Sequence, residues 1–504
     1  MSRLEEISDV KTLQQVSSHL EKTTIRKSKK IARLRAENAR LKGEHADPQM
    51  ELQLLKEQLA SMQREIFSES SERTPREMKP SDNEPTQPRR GHGPKSQPNL
   101  PVEEVKHTLE EEDRTCPICG ETLTEMGDQA EESEEVTVVG VEYKVLKHRR
   151  QKYRCQCNEQ VMTAPGPAKH IPGGRYSVDF AVHVAEQKYL DHLPLERQVK
   201  AMSRACLETT SQTLWDQINV LARILEPTYR ALCKIVLEQG MVYADETYWR
   251  NHENSSTSKW WTWCVATDDI ATYRILNSRS QKAAKKVLSG FEGVAMTDGY
   301  TAYQSLARSS PNLHLAHCWA HVRRKFLEAA DFDRELSEQA TGLINKLFEI
   351  EREVPRAGPD ATGDEKERIL ELRLRLRQEK SKPVIKNLLE WGGKHDGAIL
   401  PRSKLGKAIS YMLKLWRGLT LFLEDPRIPL DNNAAERALR GVVVGRKNHY
   451  GSKSKRGTEV AAIFYTLFET AKLSGIDNPR AYVTLAAKRA ITDHGAVTLP
   501  SDLT

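Results

Sequence analysis

The second half of the chain alternates short apolar strands with helices, and two of the predicted strands end in an aspartate. One strand is Met241–Asp245, and the other is Gly293–Gly299, which contains Asp298. The remaining strands predicted from the pattern are Trp260–Ala266, Ala271–Leu276 and one that begins at His314. This alternation is typical of an α/β domain, in which the loops at a sheet edge build functional sites. We therefore predict an α/β domain with Asp245 and Asp298 at the edge of its sheet.

Helices fill the rest of this half of the chain. They are predicted at Gln281–Leu288, His321–Ala330, Leu405–Leu423 and Asp431–Arg440. The stretch Glu335–Trp391 is also mostly helical and strongly charged, and we interpret it as an insertion into the α/β domain. A third acid, Glu436, lies on the last predicted helix about one turn after Asp431, and either Asp431 or Asn432 can cap that helix.

Three carboxylates that converge from separate elements suit a two-metal site. Cutting a phosphodiester bond requires an activated nucleophile, a stabilised leaving oxygen and neutralised charge at phosphorus, and two divalent ions provide all three. Magnesium prefers oxygen ligands, so Asp245, Asp298 and Glu436 are the candidate catalytic residues and the candidate ligands for Mg²⁺ or Mn²⁺. The chain has 70 acidic residues, and a lone Asp after a strand is usually a turn or cap residue. The assignment therefore depends on the context of the third acid.

A block of positive charge follows Glu436 immediately. Between Arg437 and Arg456 there are seven basic residues and no acid. Such a block is typical of a phosphate-binding surface, and a solvated face is the alternative. Metal ligands beside a phosphate-binding surface suit a nucleic acid better than a small anionic metabolite. The candidate DNA-binding residues are Arg437, Arg440, Arg446, Lys447, Lys453, Lys455 and Arg456, together with Arg323, Arg324 and Lys325 on an earlier predicted helix.

Two close pairs of cysteines predict a zinc ribbon. Cys116 and Cys119 form a knuckle sequence, and 35 residues separate them from the second pair, Cys155 and Cys157. The segment between the pairs is rich in Val and Tyr and then basic, as in a strand hairpin that would bring the pairs together. Four thiolates can surround Zn²⁺ tetrahedrally, which would make the site structural. The short spacing of the second pair weakens the prediction, and two buried Cys pairs without metal are the alternative.

The N-terminal segment carries a heptad pattern. Apolar residues recur at a and d positions from Val10 to Leu41, and Asn38 at an a position is the kind of residue that fixes register in a two-stranded coil. We predict a coiled coil that makes the protein a homodimer or a higher homo-oligomer, with a single amphipathic helix as the alternative. The following stretch, Ser68–Pro101, is rich in Pro, Ser, Glu and Arg and predicts a linker.

Two short helices precede the α/β domain. Leu195–Met202 and Thr209–Leu225 are separated by a short break, which suits a helix-turn-helix that reads a DNA groove, although an ordinary helical hairpin fits equally well. The predicted organisation is then a coiled coil at 1–67, a linker at 68–101, a zinc-ribbon-like domain at 102–172, a helical DNA-binding region at 173–239, a catalytic domain at 240–334 and 404–480, a helical insertion at 335–403 and a tail at 481–504.

Composition is consistent with a cytoplasmic protein. Hydrophobic residues make up 38% of the chain and charged residues 29%, which is enough to bury cores. No apolar run approaches the length that spans a bilayer, and the residues after Met1 lack the apolar core of a signal peptide. We expect reduced thiols, no membrane association and a cytoplasmic location.

The motifs around the three acids resemble those of a known family. Pro429–Arg440, followed by Gly445–Asn448, closely resembles the signature of the insertion-sequence-sixty-six family of transposases. Ala244–Thr247 and Thr297–Tyr300 match its first and second acidic motifs, and His317–Phe326 matches its segment between the second and third acids. The coil, the linker and the cysteine ribbon match its N-terminal half, so the resemblance covers nearly the whole chain.

The resemblance implies a fold, a reaction and its residues. The family's fold is a ribonuclease-H-like α/β domain, and its three acids carry over to Asp245, Asp298 and Glu436. The implied reaction is hydrolysis at the ends of a bacterial insertion sequence, followed by attack of the freed 3′ hydroxyl on target double-stranded DNA in the nucleoid. Small accessory proteins encoded by the same element are implied as partners. Cys318 and His321 fit a Cys-x-x-His pattern that shapes the site or contacts DNA, with a structural role at a strand–helix junction as the alternative.

The chain departs from the family pattern at two places, and three other functions are alternatives to transposition. The short spacing of Cys155 and Cys157 puts zinc in question, and Val443 stands where many related enzymes have a basic residue.

A catalytically inactive DNA-binding regulator would keep the coil, ribbon and basic block, but all three acids are present. A nuclease of the same fold would cut without joining, and only the family resemblance separates it from a transposase. A coiled-coil scaffold leaves the long α/β half unexplained.

Overall fold

The computed structural model describes residues 142–149, 152–154, 161–163, 166–254, 256–356, 358 and 361–503. The predicted coiled coil and linker lie outside the described residues, as do the four cysteines of the predicted zinc ribbon. The described residues from Tyr143 onward belong to one compact unit. None of the helices in the described part of the chain is long and apolar enough to cross a membrane.

A mixed five-stranded sheet organises this unit and confirms the predicted α/β class. The strands are β3 (Met241–Asn254), β4 (Ser256–Ala266), β5 (Ala271–Leu276), β6 (Gly293–Thr297) and β7 (Leu313–His317), after a short hairpin of β1 (Lys152–Arg154) and β2 (Val161–Thr163). Their order across the sheet is β5-β4-β3-β6-β7. The pairs β5–β4 and β4–β3 are antiparallel, whereas β3–β6 and β6–β7 are parallel.

The prediction that the first strand ends at Asp245 is wrong. β3 continues for nine residues beyond Asp245, because Glu246 to Asn251 pair antiparallel with the aromatic strand β4. Aromatic and β-branched residues on both strands favour this long hairpin, and they outweigh the polar residues that punctuate it. On its other side, β3 pairs with β6 only as far as Tyr243, so Asp245 lies where β3 separates from its parallel neighbour.

In the described part of the chain, four helices precede the sheet and share its main hydrophobic core. They are α1 (Val178–Tyr189), α2 (Leu195–Arg204), α3 (Ser211–Ile224) and α4 (Glu226–Leu237). The helices α2 and α3 correspond to the predicted helix-turn-helix. Leu214, Ile218 and Leu221 of α3 are fully buried in the core that also contains the sheet residues Val242 and Trp263. The helical region therefore packs directly on the α/β domain.

Helices on the β6–β7 side form a second core. After α5 (Gln281–Val287) and α6 (Thr301–Arg308), the chain continues through α7 (Trp319–Ala329), α8 (Arg334–Arg352), α9 (Gly363–Leu376), a π-helical turn (Arg377–Ser381), α10 (Lys382–His395), α11 (Lys404–Lys414) and α12 (Trp416–Thr420). Apolar residues of α7, α8, α10 and α11 pack together against Met296 and Ala316 of the sheet. The charged stretch 335–391, which was predicted to be mostly helical, is helical apart from a break at 353–362.

Three C-terminal helices complete the unit: α13 (Asn433–His449), α14 (Lys455–Leu473) and α15 (Pro479–Thr492). The helix α13 extends well beyond the predicted end at Arg440. The helix α14 covers the edge strand β5. Thr466 Oγ1 accepts a hydrogen bond from Tyr273 N at 3.0 Å, and Thr470 Oγ1 accepts one from Ala271 N at 3.2 Å. These threonines satisfy backbone groups that an uncovered sheet edge would leave unpaired.

Candidate active site

Asp245 and Asp298 follow equivalent positions of two neighbouring parallel strands. Three residues of β3 pair with the β6 residues 53 positions later, from Met241 with Val294 to Tyr243 with Met296. Asp245 and Asp298 are also 53 residues apart, and each lies two residues beyond the last of these pairs, where the two strands separate. The negative charge of Asp298 raises the pKa of Asp245, so the two acids lie at the same edge of the sheet.

The loop that carries Asp298 is held from several sides. Its carboxylate Oδ1 accepts a hydrogen bond from Tyr300 N at 2.8 Å, and its carbonyl oxygen accepts one from the Tyr411 hydroxyl of α11. Gly299 has φ +85°, and a Cβ there would lie 2.4 Å from Leu415 Cδ1. Only glycine combines this backbone conformation with so close an approach, so the turn after β6 directs Asp298 in a fixed way.

The third acid, Glu436, lies in the first turn of α13, and Asn432 connects that turn to β3. Asn432 Nδ2 donates a hydrogen bond to the carbonyl oxygen of Ala244 at 3.1 Å, one residue before Asp245. Asn432 N donates to Cys318 Sγ at 3.3 Å. Asn432 is fully buried and its side chain makes no cap bond, whereas Asp431 Oδ1 accepts from Asn433 N at 3.0 Å. The side chain of Asn432 therefore anchors α13 beside the first acid.

Electrostatics link the three acids. Burial, together with the negative charges of Glu246, Asp298 and Glu436, raises the pKa of Asp245 to about 8, and a hydrogen bond from the Glu246 backbone acts in the opposite direction. Asp298 and Glu436 are therefore close enough for Asp245 to sense both charges. His321 Nε2 lies 3.7 Å from Glu436 Oε1, and burial lowers the pKa of His321 while Glu436 raises it.

The carboxylates of the three acids are chemically suited to binding a hard divalent cation. Three carboxylates supply oxygen ligands, which Mg²⁺ and Mn²⁺ prefer, and a cation between them would relieve the repulsion that raises the pKa of Asp245. Within the described ranges, no three His, Cys, Asp or Glu side chains lie close enough together to form a ready-made metal site. The residues fit the ion by charge and ligand type, and a bound ion would require the three carboxylates to come closer together than they are here.

Cys318 and His321 occupy different environments at the start of α7. Cys318 is buried, accepts the hydrogen bond from Asn432 N and belongs to the second core. Burial raises the pKa of the Cys318 thiol to about 12. Cys318 therefore connects α7 to the start of α13, which agrees with the structural alternative for this residue. His321 faces Glu436 and lies at the site itself.

Two residues of the basic block after Glu436 are partly buried and bond to neighbouring elements. Arg446 NH1 donates to Thr247 Oγ1 at 3.0 Å and also to the Tyr248 carbonyl oxygen, so this side chain braces β3. Arg456 NE donates to Asn219 Oδ1 at 2.8 Å on α3. The exposed members are Arg437, Arg440, Lys447, Lys453 and Lys455.

The loop between α13 and α14 is attached to the long hairpin. Ser452 N donates to the Arg250 carbonyl oxygen at 3.0 Å, and His252 N donates to the Ser452 carbonyl oxygen at 2.9 Å. Trp249 Nε1 donates to Ser452 Oγ at 3.2 Å. Tyr450, beside this attachment, has φ +58° and is 66% exposed. The loop that carries Lys453 is therefore part of a rigid surface on β3.

The three basic residues of α7 also differ. Arg323 Nε donates to Asn345 Oδ1 of α8 at 2.6 Å, and Lys325 Nζ lies 4.6 Å from the centre of the Tyr411 ring. Arg324 is exposed. Since Tyr411 contacts the backbone of Asp298, Lys325 lies near the acidic site, whereas Arg323 holds α7 against α8.

Several residues around the three acids were given no role in the sequence analysis. Glu246 and Tyr300 stand inside the quoted acidic motifs, so their position was a usable signal, but neither was assigned a role. Asn432 was predicted only as a helix cap. Arg279 and Tyr411 belong to no motif, and only the folded chain brings them to the acids.

Comparisons with known proteins identify the family. Residues 173–460 match the family model described as "Transposase IS66 family", and residues 113–158 match the "zinc-finger binding domain of transposase IS66". The chain is 32% identical over 403 residues to uncharacterized protein y4jD of Sinorhizobium fredii, an alignment that covers 76% of each chain. It is 29% identical over 406 residues to uncharacterized protein y4hP of the same organism, which covers 75% of this chain and 71% of that one. The mixed α/β sheet with its many helices fits a nuclease-like fold. This chain belongs to the IS66 family of transposases, as its acidic motifs predict.

Proposed function

We propose that the protein is a DDE-type transposase that cuts DNA at the ends of its element and joins the freed 3′ hydroxyls to target DNA. The observation that most strongly supports this is that Asp298 and Glu436 are both close enough to raise the pKa of Asp245, with Asp245 and Asp298 each two residues past the last β3–β6 pair. The sheet order, with three antiparallel strands followed by two parallel ones, supports a ribonuclease-H-like fold for the catalytic domain.

Asp245, Asp298 and Glu436 are the proposed ligands of Mg²⁺ or Mn²⁺. Bound divalent ions would activate the attacking oxygen and neutralise charge at the scissile phosphate. The chain's own backbone orients two of the ligands, since Glu246 N and Tyr300 N each donate to an aspartate at 2.8 Å.

The exposed basic residues are proposed to hold the DNA backbone beside the acids. Arg437 and Arg440 lie one and four residues after Glu436 on α13, are three residues apart and so share a face of the helix, and both are exposed. Phosphate contacts of this kind fix the position of a duplex without reading its bases. Base reading would then fall to other elements, of which α2 and α3 are the candidates.

The N-terminal third is proposed to supply a structural zinc and the assembly element. The matched zinc-finger segment contains Cys116, Cys119, Cys155 and Cys157, and four thiolates suffice for Zn²⁺. Metal analysis of the whole protein should find about one tightly held zinc per chain, and Cys116→Ser should release it. Oligomerisation through the predicted coil would let one assembly hold two element ends, and light scattering of a chain lacking 1–66 tests this.

The proposed reaction is tested with labelled duplexes that carry the two ends of the element, incubated with purified protein and Mg²⁺. Wild-type protein should give nicks at the element ends and then joined products, and Asp245→Asn, Asp298→Asn and Glu436→Gln should give neither. Nicks without joined products would instead favour a nuclease. Binding without any cut would favour a DNA-binding regulator.

A further inference from the structure

Asp245 and Asp298 each receive a hydrogen bond from the backbone of a nearby residue, and the side chains of those two donor residues both contact Arg279. Glu246 N donates to Asp245 Oδ1 at 2.8 Å, and Tyr300 N donates to Asp298 Oδ1 at 2.8 Å. The side chains of Glu246 and Tyr300 both contact Arg279, which follows β5. Arg279 thus connects the backbone that orients the first acid to the backbone that orients the second.

Arg279 is held in one conformation by several contacts. Its Nε and NH2 atoms lie 2.7 and 2.6 Å from Glu246 Oε1. Its guanidinium carbon lies 3.8 Å from the centre of the Tyr300 ring and 4.6 Å from that of Trp261. The Tyr300 hydroxyl donates to the Arg279 carbonyl oxygen at 3.0 Å. A planar guanidinium between two aromatic rings and a carboxylate has little freedom to move.

Burial of the Glu246 carboxylate beside the two aspartates costs free energy. Its side chain is 0% exposed, and its second partner is the Tyr303 hydroxyl at 2.8 Å. A buried ion pair often contributes no more stability than apolar residues of the same size. Here the buried carboxylate also adds negative charge next to Asp245 and Asp298. A contribution to stability alone does not account for the buried Glu246 carboxylate, whereas a requirement to fix the position of Arg279 does.

We propose that Arg279 is a positioning residue that sets the separation of Asp245 and Asp298 through Glu246 and Tyr300, and so sets the affinity of the acidic site for divalent metal ions. This inference rests on the proposed function, because it assumes that the two aspartates share a metal site. Arg279 need not touch DNA or metal to act in this way. Removal of a partner that orients a metal ligand typically lowers metal affinity by about 10- to 100-fold.

The test is titration of the DNA-free full-length protein with Mn²⁺, with free Mn²⁺ measured by electron paramagnetic resonance. Arg279→Lys keeps the charge but loses the planar fork, and Glu246→Gln keeps the shape but loses the charge. Both should weaken Mn²⁺ binding about tenfold or more. Tyr300→Phe keeps the ring and the backbone donor and loses only the hydroxyl, so it should give a smaller shift in the same direction.

The matched control is Arg377→Lys. Arg377 forms another buried Arg–Glu pair, with Glu351 at 2.6 Å and the Phe422 ring at 5.2 Å, in the helical region away from the acids. The substitution Arg377→Lys should lower the melting temperature and leave the affinity for Mn²⁺ unchanged. An equal loss of affinity in Arg377→Lys, or wild-type affinity in Arg279→Lys and Tyr300→Phe, would overturn the inference. Asp245→Asn separates the two proposals: if it binds Mn²⁺ like the wild type, the metal site itself is wrong.

Discussion

Asn432 donates its side-chain amide to the carbonyl oxygen of Ala244, and this buried contact joins the start of the helix that carries Glu436 to β3 beside Asp245. The acids are 191 residues apart in the chain, so no local rule of helix or strand brings them together. The contact lies one residue before the first acid and four before the third. Small changes at Asn432 should therefore move Glu436 relative to Asp245.

Replacement of Asn432 tests that relationship. Asn432→Ala leaves the buried carbonyl oxygen of Ala244 without its donor, which should lower the free energy of unfolding by about 1–3 kcal/mol. Cleavage at saturating Mg²⁺ should fall more steeply than the population of folded protein does. Chemical denaturation and a cleavage assay on the same preparation measure the two effects. Ser403→Ala, which removes the N-cap bond of α11, controls for a loss of stability alone and should retain cleavage.

Replacement of Asp245 should stabilise the metal-free protein while it abolishes cleavage. The pKa of Asp245 is raised to about 8, so the folded chain holds a proton that the unfolded chain releases above about pH 4. This contribution to stability is full below pH 4 and is lost as the pH rises toward 8. Asp245→Asn should therefore raise the melting temperature in EDTA by about 2 °C or more at pH 8, and by less at pH 5.

The exposed residue Glu335 supplies the control for this pH dependence. It lies in the first turn of α8 and its side chain is exposed. Since substitutions of exposed surface residues usually change stability little, Glu335→Gln should leave the melting temperature close to that of the wild type at pH 8. A variant Asp245→Asn that is less stable than the wild type at pH 8 would mean that the carboxylate is stabilised by a partner and not strained by its neighbours.

The basic face of α13 should account for part of the salt dependence of DNA binding. Arg437→Gln combined with Arg440→Gln should weaken binding to any duplex and reduce the slope of log K against log [salt] by about 2. The exposed Arg230 on α4 is the control, and Arg230→Gln should leave the slope unchanged. Arg446→Ala should act differently, because its guanidinium bonds to β3: it should lower stability without the same change in slope. An unchanged slope in the double variant would place the DNA elsewhere.

Acid should destabilise the protein through His449. Burial lowers the pKa of this imidazole to about 3, helped by the positive charges of Lys188 and His192, while the Gly451 carbonyl oxygen raises it. The neutral ring also contacts the Tyr465 hydroxyl at 3.3 Å. Because the unfolded chain takes up a proton near pH 6.5, stability is lost as the pH falls from 6.5 toward 3, by up to about 2 kcal/mol at pH 5. Urea unfolding of His449→Gln should show a weaker pH dependence in this range than the wild type.

Much of the catalytic half was predictable from sequence because its signals are local. Ala271–Leu276 was predicted with its observed bounds, and the helix beginning at Gln281 was one residue too long. Both are short periodic segments with clear turns on either side. The three acids were also proposed from local motifs, since each lies in a run of residues with a recognisable pattern.

The errors and omissions have a common physical origin in long-range pairing. The end of β3 was placed at Asp245 because a polar run normally stops a strand, but pairing with Trp260, Trp261 and Trp263 carries it on. Arg446 and Arg456 look like free surface charges in the sequence, and only the fold places Thr247 and Asn219 beside them. The contact of Arg279 with Glu246 and Tyr300 depends on three separate elements and leaves no periodic trace.

The central claim is that Asp245, Asp298 and Glu436 bring divalent metal ions to the scissile phosphate, and a sulfur substitution tests it most directly. An element-end duplex with a single phosphorothioate at the cleaved bond is compared with the normal duplex in Mg²⁺ and in Mn²⁺. Sulfur binds Mg²⁺ poorly and accepts the softer Mn²⁺, so wild-type protein should cut the modified duplex slowly in Mg²⁺ and recover in Mn²⁺. Equal cutting of both duplexes in Mg²⁺ for both phosphorothioate isomers, or cutting in EDTA, would contradict metal contact with the phosphate.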